Sequence, residues 1–135
     1  MDDQNDPLAK LFDTSSLQDH RELLAETIFP YARIDSETLE VGFTEEGEQL
    51  VARDKLLVFL LVRKALFLRN MVPKEAAGPS EIEKATGIPG GTVRPQLRKL
   101  VDDKLIRTEA NEGGYFVPNA KIKDINKSLT KKGSK

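Results

Sequence analysis

Between Thr92 and Lys99 the chain reads Thr-Val-Arg-Pro-Gln-Leu-Arg-Lys. With the apolar Val93 and Leu97 set aside, Thr92, Arg94, Pro95, Gln96, Arg98 and Lys99 remain, and all but the proline carry side-chain hydrogen-bond donors. Arginine offers a planar fork of N–H groups. Glutamine sets a donor beside an acceptor. Lysine and threonine are point donors. Such a set holds planar or anionic groups, such as base edges and phosphates; it does not break bonds.

Residues suited to bond breaking are scarce. There is no cysteine, which removes a thiol nucleophile, a disulfide framework and a thiolate metal site. His20 is the only histidine and stands in a polar stretch that reads as surface. Carboxylates are plentiful, but Glu45, Glu46 and Glu48 read as a solvated acidic face, and Asp102 and Asp103 as the surface of a helix end. Gly90-Gly91-Thr92 lacks the Gly-Lys-Ser/Thr ending of a phosphate-cradling loop. The expectation is a protein that is not an enzyme, with no catalytic residues, no metal and no cofactor.

Charge is unevenly spread. Residues 1–50 hold 13 Asp/Glu against three Lys/Arg, a net of −10, while residues 51–135 hold 18 Lys/Arg against nine Asp/Glu, a net of +9. An acidic arm beside a basic body points to a basic surface for nucleic acid, against the plainer reading of ordinary solvated surface. The longest apolar run, Leu56 to Val62, falls short of the roughly 18–20 residues that span a bilayer. The first residues are acidic where a secretory signal would be basic. A soluble, cytoplasmic protein is expected, with no membrane partner.

The elements that must position the Thr92–Lys99 set are legible in outline. Residues 1–30 read as an acidic arm, mobile over the first dozen residues, with a short helix from Leu17 to Thr27. Residues 31–52 read as a β-hairpin: period-two alternation flanks a polar turn at Asp35-Ser36-Glu37. Thr44 is a candidate helix cap, and residues 47–52 a candidate third strand. Arg53 to Asn70 reads as a helix whose body, Leu56 to Leu68, is apolar at every position except Arg63 and Lys64, so it needs cover on nearly all sides. A second copy of the chain is one source of that cover, so a homodimer through helix 53–70 or its neighbours is expected.

Ser80 and Glu83 have the spacing of a capping box, and Gly87 that of a left-handed helix end. Thr92 reads as the cap of a second helix, 92–104, which places Pro95 in its first turn, where a missing N–H is harmless. Leu105 to Thr108 and Tyr115 to Val117 read as strands around a turn at Asn111–Gly114. Asn119 reads as the cap of a last helix carrying Ile122, Ile125 and Leu129, followed by a frayed basic tail. Residues 53–118 thus form one unit and 119–135 a C-terminal helix and tail.

Ile82-x-x-Ala85-Thr86-Gly87-Ile88, then Thr92-Val93, Leu97, Leu100 and Lys104-Leu105-Ile106, resembles the winged helix-turn-helix superfamily of prokaryotic transcription regulators. The proline early in the second helix is most similar to PadR-like proteins. The resemblance covers residues 53–118. It implies a mainly helical α+β fold, a winged helix-turn-helix with an added N-terminal hairpin and a C-terminal helix. It also implies a recognition helix at 92–104 in the major groove of double-stranded DNA, with Thr92, Arg94, Pro95, Gln96, Arg98 and Lys99 on its reading side. A wing at 108–117 would touch backbone or minor groove. Lys104 stands where related sequences usually have glycine, and the wing tip, Glu109 to Glu112, has no cation. A DNA-binding transcription regulator is the leading expectation; a winged helix that binds a protein partner instead is the alternative.

Overall fold

The computed structural model describes residues 7–11, 16–111 and 113–133. Its centre is α3, Ala52–Leu68, the most apolar helix of the chain. Leu56 to Val62 are all at most 4% exposed. Helix α1, Ser16–Ile28, lays Leu24 and Ile28 into the same core, and α4, Pro79–Thr86, contributes Ile82. Helix α5, Gly90–Asp102, adds Val93, Leu97 and Leu100; α6, Ile122–Gly133, adds Ile122, Ile125 and Leu129. The cover that α3 demands is therefore supplied from within the chain, by segments from its acidic arm to its last helix. Phe67, at 40%, is the exposed large apolar residue of α3.

The architecture is α+β and mainly helical, with two small antiparallel sheets. Strands β1, Ala32–Ile34, and β2, Val41–Phe43, pair with Arg33 opposite Gly42. The turn between them is made by Asp35. Its Oδ1 accepts from Glu37 N at 2.8 Å and Thr38 N at 3.0 Å, and its carbonyl accepts from Leu39 N. Those amides, Thr38 first and then Glu37, hold the Asp35 carboxyl below its ordinary value. A lowered pKa contributes stability above the usual carboxylate range, and that contribution fades as pH falls through the lowered value. In an acid titration followed by NMR, the Glu37 and Thr38 amide shifts will move together with a midpoint below the ordinary value for Asp. They will stay flat in Asp35→Asn; the same midpoint in that variant would refute the assignment.

After β2 the chain makes no third strand. Thr44 caps a one-turn helix, α2, Glu45–Glu48, accepting from Gly47 N at 3.0 Å, and α3 begins only at Ala52. Tyr31, at the head of the hairpin, has its hydroxyl pushed above its ordinary value by burial and then by the charges of Glu46 and Asp54.

Two charged residues of α3 are built into the fold. Arg63 donates to Glu81 at 2.9 Å and to the carbonyls of Lys74 and Ala76. Lys64, 3% exposed, is ion-paired with Glu75 at 2.7 Å and donates a hydrogen bond to Asn119 Oδ1 at 2.7 Å. Asn119 is thus a ligand of a buried ammonium. The last helix is entered instead through Pro118 and a 3-10 turn over Asn119–Lys121.

Helix boundaries differ from the sequence reading in instructive ways. The cap of α4 is Gly78, with Pro79 at the first helical position and Glu81 reaching back to Gly78 N. Glu83 is released from the expected capping box, and its carboxylate lies against Gly90 at the start of α5. Helix α5 spans Gly90–Asp102, not 92–104. Thr92 is its third residue, no side chain caps it, and Pro95 lies in its second turn. The paired glycines are poor helix formers, which is why they read as turn. The Glu83 carboxylate against the positive end of α5 and the burial of Val93, Leu97 and Leu100 offset that weakness. Pro95 is exposed, so the carbonyl it leaves without a helical partner can be met by water.

Between α4 and α5 the chain turns on Gly87 at φ 75, as expected of a helix-ending glycine. Thr86 ties the turn, its hydroxyl donating to Ile82 O and accepting from Ile88 N. After α5, Lys104 adopts φ 65, a left-handed conformation that costs a non-glycine residue about 1 kcal/mol. Strands β3, Arg107–Thr108, and β4, Tyr115–Phe116, are shorter than expected. Tyr115 also exchanges both backbone hydrogen bonds with Ala77, which pins the hairpin to the loop before α4. Gly114 lets that contact form, since a Cβ there would lie 3.1 Å from the Ala77 backbone.

At the N-terminus, Pro7–Leu11 forms a 3-10 turn; the rest of the first dozen residues, Leu17's side chain and Glu112 lie outside the described residues. The α6 backbone runs on through Gly133, into the segment that reads as a frayed tail. Among the described residues no helix is long and apolar enough to cross a membrane.

Candidate nucleic-acid interface

Helix α5 is amphipathic, and its buried stripe decides where the polar side chains go. With Val93, Leu97 and Leu100 fully buried, the opposite side presents Arg94, Pro95, Arg98 and Lys99, all exposed; Thr92 and Gln96 are half-buried. At about 100° per residue these six do not share one face. Arg94 and Arg98 lie on one flank, Thr92 and Gln96 on the other, and Pro95, Lys99 and Asp102 run between them.

The arginine flank is the one that meets the hairpin. Arg94 and Arg98, one turn apart, line a concavity of about 290 Å³ with Asp102, Thr108 and Tyr115. Neither arginine is in an ion pair among the described residues, so both guanidinium forks are available to an outside group. Asp102 lines the same concavity and weakens the positive surface toward the end of α5. The N-terminus of α5, an anion site in many helices, already faces the Glu83 carboxylate. Thr92, in that N-terminal turn, is therefore poorly placed for a phosphate.

No protein-family model, curated protein or solved structure matches the chain. The arrangement of side chains carries the functional reading.

A second concavity, of about 420 Å³, adjoins the first. Lys104, Ile106, Arg107 and Lys121 line it, and it shares Val101 and Thr108 with the arginine concavity. The sequence reading does not include these cations among the site residues. Lys104 is seen only as a departure at a glycine position, and Lys121 is 14 residues beyond Arg107, so only the tertiary fold brings them together. No local pattern in the sequence could have found this grouping.

Two other concavities have different chemistry. One, of about 460 Å³, lies between the first hairpin and helices α3 and α4. Leu39, Val41, Phe59 and Leu66 line it together with the Arg63–Glu81 pair, whose charges close on each other. The other, of about 380 Å³, joins Phe67 and Pro73 to Phe116 and the acidic hairpin tip at Glu109. Among the described residues, no group of three or more His, Cys, Asp or Glu is placed to hold a metal ion.

Proposed function

We propose that this chain is a winged helix-turn-helix protein that binds double-stranded DNA through α5 and acts as a dimeric transcription regulator. The observation that carries the reading is the pair Arg94 and Arg98: exposed, without ion pairs, and one turn apart on a helix whose opposite side is buried. An arginine fork matches the O6/N7 edge of guanine and equally a phosphate. Lys99 and Gln96 extend the contact along the helix. The β3–β4 hairpin, whose Thr108 and Tyr115 line the concavity of the arginines, would serve as the wing. Its tip carries Glu109 and Asn111, which suits it to stay clear of phosphates.

Fluorescence anisotropy on mixed and genomic duplexes tests this reading. Binding should weaken linearly with log salt, by about 0.9 per phosphate contact. Arg94→Ala with Arg98→Ala should lower affinity on the order of 100-fold, since each forked contact contributes about 1–3 kcal/mol. Absence of binding to any duplex at low salt would sink it. Light scattering on the same sample reports the dimer, for which the exposed Phe67 and Met71 at the end of α3 are the supporting surface.

One observation favours a second reading, a module that binds protein. The groove joining Phe67, Pro73 and Phe116 to Glu109 is apolar with an edge of mixed charge, Lys74 beside Glu75 and Glu109, unlike a DNA surface. A stoichiometric protein partner that survives nuclease and charge reversal at Arg98 would favour it.

A further inference from the structure

We infer that Lys104, Arg107 and Lys121 form a second phosphate-holding site, which grips the DNA backbone beyond the end of α5. This rests on the DNA reading above and extends it to residues outside the helix.

The concavity they line contains three cations and no carboxylate. Lys104 and Arg107 have no ion pair among the described residues; Lys121 is in one long, half-exposed pair with Asp124 at 3.8 Å, which leaves most of its charge to an outside anion. Three like charges around one hollow repel one another, and an anion seated between them converts that repulsion to attraction. Lys104 is in addition held at φ 65, a conformation glycine takes freely and lysine only under strain. That conformation ends α5, with Leu105 N donating to Leu100 O at 3.0 Å, and it leaves the Lys104 side chain lining this hollow.

Position identifies the anion. The hollow shares Val101 and Thr108 with the concavity of Arg94 and Arg98, so the two groups of cations adjoin in one strip, interrupted by Asp102 on the arginine side. A duplex lying against the two arginines would carry its phosphates along that strip. The other places where such a protein could hold backbone suit it less, because the Glu83 carboxylate lies beside Gly90 at the start of α5 and the hairpin tip is acidic. The hairpin's base, through Arg107 with its neighbours Lys104 and Lys121, does the work that its tip cannot.

The test compares salt dependence of binding to a mixed-sequence duplex for the full chain and two variants. In Lys104→Gln/Arg107→Gln/Lys121→Gln, the slope of log affinity against log salt should fall by roughly 2–3 units, about 0.9 for each lost contact. The loss of affinity should be equal on every duplex sequence. In Lys104→Gly, the melting temperature should rise as the strain is relieved, while the slope falls by about one unit. A purely structural lysine would give the first change without the second. If the wild type binds DNA but the triple variant keeps its slope, this site is refuted and the DNA reading stands. The Lys104 assignment fails if Lys104→Gly melts higher with an unchanged slope. Should the wild type bind no duplex at low salt, both fall together.

Discussion

Glu75→Ala lowers the stability of the fold by about 3 kcal/mol, near the lower end of what is found when one partner of a buried ion pair is removed. Lys64 lies on α3 amid the core, with 4% of its side chain exposed, and Glu75 comes to it from the α3–α4 loop at 2.7 Å. Without Glu75 the ammonium keeps only the neutral amide oxygen of Asn119, also at 2.7 Å. A charge in that position must remain desolvated with half its support, which is unfavourable. Urea unfolding should show the midpoint falling with an unchanged slope. Adding Lys64→Met to Glu75→Ala should recover much of the loss, because replacing both members of a buried pair removes the stranded charge. A single Glu75→Ala variant within about 0.5 kcal/mol of wild type would show that the pair contributes nothing.

Gly47→Ala should be nearly as damaging, although Ala is the better helix former by about 1 kcal/mol. Gly47 is buried in α2 where that one-turn helix is pressed against the first hairpin. A Cβ there would lie 2.0 Å from the Tyr31 carbonyl oxygen and 3.1 Å from the Phe43 ring. The carbonyl cannot retreat easily, because it also accepts the Thr44 amide at 2.9 Å. Overpacking against backbone costs typically 1–3 kcal/mol, and here the upper part of that range is expected. Gly91→Ala is the control. It lies in α5 with no atom within 4 Å of its would-be Cβ, so the helix preference acts alone and the variant should gain about 0.5–1 kcal/mol. Thermal melts of the two variants should move in opposite directions. A Gly47→Ala protein as stable as wild type would mean that hairpin and α2 do not meet as described.

The two substitutions probe what sequence reading handles worst, contacts between residues far apart in the chain. Lys64 reads as one of two polar interruptions in a greasy helix, and Asn119 as a helix cap. That they bond each other across 55 residues follows only from the packing of the last helix onto α3. The demand of the apolar α3 for cover is legible from its composition; that α1, α4, α5 and α6 supply it within one chain is not.

By itself, the sequence determined the order of the elements, because hydrophobic period, proline and glycine act locally. The first hairpin, the long apolar helix, the turn at Gly87, the amphipathic helix after it and the second hairpin follow in the order that pattern gives them, with their ends shifted, and Arg94, Arg98 and Lys99 are on the exposed side of α5 as its spacing requires. Only the tertiary structure decided where α5 begins, because the preference of two glycines for a turn is about 1 kcal/mol each and is overridden by the Glu83 carboxylate and three buried side chains. It also decided which cations keep company. Arg94 and Arg98 turn to the hairpin's flank while Thr92 and Gln96 turn away, and Lys104, Arg107 and Lys121 gather beside them from three elements. A surface is an arrangement of side chains in space, and the distances that define it are not encoded in the spacing of any one segment.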